Sequence, residues 1–400
     1  MICPVNELFL DPISAFVSEI KQGGMSGMDN RERVLAALAH RQPDKAPVSI
    51  GSTIVDGFTR FAKDTYEAYR GVAPTANTIT SMSMQTIRTP TWLSKELNME
   101  FETVAMKGAL LDATRFDTDG SYYDEFGIYW KKSELYYDPV QGPLYGEITQ
   151  EDILKNPWPD AYDKGRVAGL REEAQQIRSK GDKVLVANIM CGGPFEQSLW
   201  MRGWEDFLCD LYTDPVLAEA LLDRITESAI SFWDAYLNEV GDLVDIVCQG
   251  DDIGMQDRSI VSREIYQKYI QKYHKRLYGF IRSKTSAKIF MHSCGSVYEL
   301  LPQIIEAGVE ILNPVQISAK NMEPERLKRE FGSELTFWGG IDTQHILPYG
   351  SETEIRDCVK MLIDILGKDG GYILAPGHNI QNYVEPWRID AMVKAMTELR

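Results

Sequence analysis

The sequence predicts an α/β fold, a (β/α)8 TIM barrel with an N-terminal extension and an insertion, on three observations. Six short apolar runs follow residue 180, and one or two precede it. Longer helical patterns separate them, the rhythm of parallel strands buried on both faces. The polar and glycine-rich signatures fall at the ends of these runs, where a barrel gathers its functional groups. A doubly wound open sheet is the alternative. No Gly-x-Gly-x-x-Gly follows an early strand, which weakens its nucleotide-binding version.

Taken in order, residues 1–28 form an extension that ends in a glycine-rich tract, Gly23-Gly24-Met25-Ser26-Gly27. The single domain spans 29–400. Asp29 to Leu38 reads as a capped amphipathic helix, and Pro47-Val48-Ser49-Ile50 as a first short strand. The stretch from about 90 to 165 reads as an insertion. It is strand-rich near Tyr122–Trp130, an antiparallel cap in prospect, and it runs on through Pro157-Trp158-Pro159. Strands are then expected at 183–189, 243–248, 287–291, 309–312, 335–338 and 372–375. Helices are expected at 166–180, 196–240, 262–283, 297–307, 352–367 and 386–399, with Asp214-Pro215 starting one of them.

Bulk composition narrows the function classes. The formal net charge of -17 gives a surface that repels nucleic acid and anionic membranes, so neither is an expected partner. No apolar run is long enough to cross a bilayer, and the first residues lack the basic segment of a signal peptide. The six cysteines are spread without disulfide-like pairing. A reducing cytoplasm is the expected compartment.

His292-Ser293-Cys294 closes one predicted strand, and His378 follows another in Ala375-Pro376-Gly377-His378-Asn379. Residues i and i+2 of an extended segment point to one side, so His292 and Cys294 can grip one atom. Imidazole and thiolate suit zinc, and three protein ligands leave a fourth position for chemistry. The bland reading is a chance His-x-Cys whose cysteine is a small buried hydrophobe. Gly250-Asp251-Asp252 and Glu196 lie at other strand ends; turn formation and a first-turn helix acid are their ordinary roles. Together they place carboxylates over the mouth that holds the histidine and cysteine. His274 reads as a surface helix residue, and His345 and His40 as non-ligands. Trp200, Trp204 and Trp338 are either pocket walls or packing.

Several segments together resemble the uroporphyrinogen decarboxylase superfamily, and within it the zinc- and corrinoid-dependent methyltransferases. They are Glu32–Leu38, Gly250-Asp251-Asp252, His292–Gly295, Glu306–Gln316, Phe337–Gln344 and Ala375–Gln381. The resemblance covers most of the chain from residue 30 and is best after 180. It implies a βα barrel, a zinc ion on His292, Cys294 and His378, and a corrinoid (cobalamin) carried by a partner protein. Two departures matter. The decarboxylases proper carry an Arg-Gln-x-Gly-Arg motif for a polyanionic porphyrinogen, whereas Gly51–Gly57 here has no arginine. The thiol-methylating relatives carry a cysteine where His378 stands, which makes this chain more like the aryl-ether demethylating branch. The implied activity is methyl transfer from a small methylated donor, a methoxylated aromatic above others, to corrinoid Co(I). Asp252 or Glu196 would be a labile fourth ligand or a proton handler. Transfer from a methylcorrinoid to a thiol or to tetrahydrofolate, and metal-free decarboxylation, are the alternatives.

Overall fold

The computed structural model describes residues 27–134, 136–188 and 192–400. The expected extension and Cys191 therefore lie outside the described residues, apart from Gly27 and Met28 at the extension's end.

Seven parallel strands form one curled sheet: β1 Phe101–Val104, β2 Val184–Ala187, β3 Ile246–Gly250, β4 Lys288–His292, β5 Ile311–Asn313, β6 Thr336–Ile341 and β7 Tyr372–Pro376. Neighbours in space are neighbours in sequence, as right-handed βα units demand. The eighth position is a single parallel bridge, Val48 to Leu374. It is held by Ser49 N–H to Leu374 O and Leu374 N–H to Pro47 O, both 2.9 Å. The architecture is the TIM barrel that the apolar runs predict.

β1 lies inside the stretch read as an insertion, so that stretch divides. Its first part supplies a barrel strand, and the four-stranded antiparallel sheet 115–141 is the elaboration. Closure between Val48 and β1 uses side chains. Glu100, fully buried, accepts from Val48 N–H at 3.0 Å and from Arg33 and Arg400 at 3.1 and 2.9 Å. Thr103 Oγ1 donates to Ser52 O at 2.7 Å. One carboxylate thus joins the first helix, the chain's last residue and the first strand.

Most helices fall where the periodicity places them. Asp29 and Glu32 make a capping box on Asn30–Leu38. Asp214 accepts from Leu217 N–H at 3.1 Å, with Pro215 opening the 26-residue helix Pro215–Val240. The expected 262–283 helix runs from a Ser262 cap to Lys284 with a π turn at Tyr266–Ile270.

Strand alternation sorts the core. Phe101, Val184, Val186, Ile246, Cys248, Phe290, Ile311, Trp338 and Ile373 fill the barrel interior. The alternate residues Leu185, Val247, Ile289, Leu312, Phe337 and Leu374 face the helices. Trp338 is central: its ring lies 4.9 Å from Phe101 and 5.3 Å from Phe290, and its Nε1–H donates to buried Asp56 at 2.9 Å. It is packing, one of the two roles open to it from sequence. Because Phe290 points inward, so does His292 two residues on.

Candidate metal centre and donor pocket

His292 ends β4 in register with Gly250 of β3 and Asn313 of β5. Asn313 Oδ1 holds Nδ1 at 2.6 Å. That contact turns Nε2 toward Cys294 Sγ, 3.4 Å away. The backbone then turns sharply at Gly295, which has φ +83°; a Cβ there would sit 2.5 Å from Met255 O. His378 follows β7 and stacks edge-on to His292 at 5.6 Å between ring centroids. Its Nδ1 meets the Tyr136 hydroxyl at 3.3 Å.

The donor atoms of His292, Cys294 and His378 all lie within 4.8 Å of one another. With bond lengths of about 2.0–2.3 Å, a tetrahedral zinc has ligand–ligand edges of about 3.3–3.8 Å. The His292–Cys294 pair already has such a spacing, and partners on both Nδ1 atoms leave the two Nε2 atoms facing the cluster. The donor set fits a zinc ion. Burial pushes the Cys294 thiol well above its ordinary value, and the carboxylates of Asp252 and Glu196 push further. Burial pulls His378 down to about 3, and His292 beside it adds to the shift. Burial thus favours the uncharged thiol and the uncharged imidazole, the latter being the form in which a histidine can ligate.

The two aspartates separate cleanly. Asp251 is fully buried and faces away from the pocket. It accepts from Phe195 N–H at 3.0 Å, from Glu196 N–H at 2.6 Å and from His274 Nε2 at 2.6 Å. It therefore anchors the start of helix Pro194–Arg202, with Gly193 so close that a Cβ would lie 2.4 Å from Asp251 Cβ. His274 is a correction to the sequence reading. It is fully buried, bonded by Nδ1 to the Tyr266 hydroxyl at 2.8 Å, and sits on no surface. Asp252 faces the cluster: Oδ1 accepts from Cys294 N–H at 2.8 Å and lies 3.8 Å from His292 Nε2. Glu196 lines the same cavity; burial raises its carboxyl well above the ordinary range, and Asp252 and Asp251 add repulsion. His345 is exposed beside Asp342 and outside the cluster.

The cavity above the cluster has a volume of about 460 Å³, within the roughly 300–1,000 Å³ of small-molecule sites. Its floor is His292, His378 and Asp252, and its roof is Tyr122, Trp130 and Tyr137 of the antiparallel sheet. Trp200 stands against Trp130, edge to face at 5.3 Å. Trp204 is exposed and lines nothing here. No lysine or arginine lines this cavity among the described residues. The roof residues and Tyr136 were not singled out as site residues from sequence; only the strand-rich tract around Tyr122–Trp130 pointed there. A second, smaller cleft of about 220 Å³ opens on the far side of Cys294 and His378, edged by Gln256, Gln316 and Gln344.

Comparison with known proteins places this chain in a family. The chain is 24% identical over 264 residues to the methylated-thiol–coenzyme M methyltransferase of Methanosarcina mazei, covering 64% of this chain. It spans 65% of that relative's length. It is 23% identical over 280 residues to a uroporphyrinogen decarboxylase of Alcanivorax borkumensis, 66% of this chain and 74% of that one. A solved methyltransferase from Methanosarcina mazei superposes with a TM-score of 0.63 at 18% identity, over 93% of this chain and 99% of that one. It shares the fold. The family description "Uroporphyrinogen decarboxylase (URO-D)" matches residues 132–399, which is most of the barrel, and the chain belongs to that family.

Proposed function

We propose that this chain is a zinc-dependent methyltransferase that moves a methyl group from a methoxylated aromatic to the Co(I) of a corrinoid carried by a partner protein in the cytoplasm. The observation that carries the reading is the cluster of His292, Cys294 and His378, whose two imidazoles lie on the floor of an aromatic-walled cavity without cationic side chains. A porphyrinogen bearing many carboxylates has no partner there, which argues against decarboxylation. The family kinship to a methyltransferase supports the transfer chemistry.

His292, Cys294 and His378 would hold the zinc, and Asp252 or Glu196 would occupy or serve the fourth position. When bound, zinc supplies a Lewis acid for charge developing on an ether oxygen. The chain's own residues orient and dry the donor. Trp130, Trp200 and Tyr122 clamp a ring, and the antiparallel sheet excludes water over it. Glu196, raised by burial, can hold a proton at its carboxyl for a neighbouring phenolic oxygen. In the balanced reaction the aryl oxygen keeps the electron pair of the broken O–CH3 bond, and Co(I) supplies the pair for the new bond to carbon.

The kinship to a methylated-thiol enzyme favours a second reading, transfer involving a thiol. A panel of methoxyaromatics, methylamines and thiols offered with Co(I) cobalamin separates the two. Methylcobalamin formation from a methoxyaromatic supports the proposal. Transfer with thiols alone overturns it.

A further inference from the structure

Two of the candidate ligands are held from within the barrel, and the third is held by the elaboration above it. His292 rests on Asn313 of β5, and the Cys294 N–H on Asp252 after β3. His378 rests on Tyr136, the residue before Tyr137–Gln141, the last strand of the antiparallel sheet. Tyr136 is fixed at its root. Its N–H donates to Ser133 Oγ at 3.2 Å, and its carbonyl accepts from Ser133 N–H at 2.9 Å and Oγ at 2.7 Å. Tyr137 N–H donates to Ser83 O at 2.8 Å.

The two histidine supports differ in what they permit. Asn313 turns its oxygen to His292 while its Nδ2 donates to Trp338 O at 3.3 Å. An amide oxygen only accepts, so His292 keeps a hydrogen on Nδ1 and leaves Nε2 free to ligate. A phenol hydroxyl donates as well as accepts. Gln381 Nε2 donates to Asn379 O at 3.2 Å and to the Tyr136 hydroxyl oxygen. An amide nitrogen has no lone pair to offer in return. Of the two groups touching the phenol oxygen, His378 Nδ1 is therefore the one that can receive its hydrogen. A neutral His378 in that arrangement carries its own hydrogen on Nε2, where it blocks ligation.

We infer that Tyr136 is a positioning residue that makes His378 an adjustable ligand, its hydroxyl donating to Nδ1 without metal and accepting from Nδ1–H with zinc on Nε2. The exchange balances: the imidazole stays neutral, and one hydrogen moves between its nitrogens through solvent. A metal on Nε2 polarises Nδ1–H, and such charge-assisted hydrogen bonds are the stronger ones. Tyr137 beside it roofs the donor cavity. Zinc binding and the seating of the sheet 115–141 therefore stabilise each other, reciprocally. The inference rests on the proposed zinc site for taking His378 as a ligand.

The test uses the full chain with ¹⁵N-labelled histidine at pH 8, where imidazole is neutral. Without metal, NMR should find His292 protonated at Nδ1 and His378 at Nε2. One equivalent of zinc should move the His378 hydrogen to Nδ1 and slow amide exchange in the sheet 115–141. Tyr136→Phe keeps the ring and removes the hydroxyl. It should weaken zinc about tenfold in a chelator competition, as for loss of a supporting contact, and should uncouple exchange in the sheet from zinc. His378 already protonated at Nδ1 without metal would overturn the inference. So would exchange in the parent sheet that ignores zinc. Equal zinc affinity in parent and Tyr136→Phe keeps the metal reading and removes only this inference. A parent that binds no zinc removes both.

Discussion

At the scale of single residues, the proposed metal centre depends on what stands behind each candidate ligand. Asn313 is fully buried and fixes His292 through Nδ1 at 2.6 Å. Loss of such a supporting contact ordinarily costs about 10–100-fold in metal affinity. Asn313→Ala should therefore weaken zinc binding by that order in a chelator competition, while His292→Ala and Cys294→Ala should abolish stoichiometric zinc. Full zinc in Cys294→Ala would remove the centre from the account. His378→Cys should keep zinc but lower activity, because a second thiolate makes the ion a weaker Lewis acid. Zinc affinity and turnover in that variant are measured together. The three ligand candidates were legible in the sequence, His292 and Cys294 from their i, i+2 spacing at a strand end and His378 from its place after the last strand. Asn313 was not: its role comes from register between β4 and β5, which spacing along the chain does not contain.

At the scale of elements, strand-end loops hold each other. Asp251 ties the end of β3 to the start of helix Pro194–Arg202 and, through His274, to helix Gln271–Lys284. Removing one partner of a buried, hydrogen-bonded pair costs about 3–5 kcal/mol. Asp251→Ala should lose that much in urea unfolding, and Asp252→Ala should lose far less while reducing methyl transfer. Equal destabilisation by both would show that they share one role. Gly250-Asp251-Asp252 gave no way to divide these roles in advance, because adjacent residues at a strand end differ only in where the turn aims them. His274 had a readable signal. Ile270, Tyr273, His274, Leu277, Tyr278 and Ile281 form a buried stripe at helical spacing. The intervening Lys272, Lys275 and Arg276 conceal it.

At the scale of the whole molecule, the barrel was legible from its repeated apolar runs, and one strand was not. Phe101-Glu102-Thr103-Val104 is four residues long with polar residues at its centre, so no apolar run marks it. Its place is set by pairing with Val184–Ala187 and by the Glu100 network, both long-range. Stability should carry the electrostatic signature of the metal-free centre. The His378 imidazole sits at about 3 against an ordinary 6.5, so its contribution is present above 6.5 and is lost as pH falls toward 3. Glu196, raised by burial, contributes in the opposite sense, favouring the fold at low pH. The readout is therefore the difference in unfolding free energy between the metal-free parent and His378→Gln, which should move against the parent as pH drops from 6.5. A pH-independent difference would place His378 outside the buried cluster.

The direction of methyl flow bears most directly on the central claim. Two imidazoles and one thiolate leave zinc more positive than two thiolates would, which favours an oxygen leaving group over activation of a bound thiol. With 2-methoxyphenol and Co(I) cobalamin, the zinc-loaded chain should yield methylcobalamin and catechol in equal amounts. Chelation should stop both, and methylcobalamin with a simple thiol should give little transfer. Rapid thiol methylation with no ether cleavage across a range of neutral methoxyarenes would contradict the account.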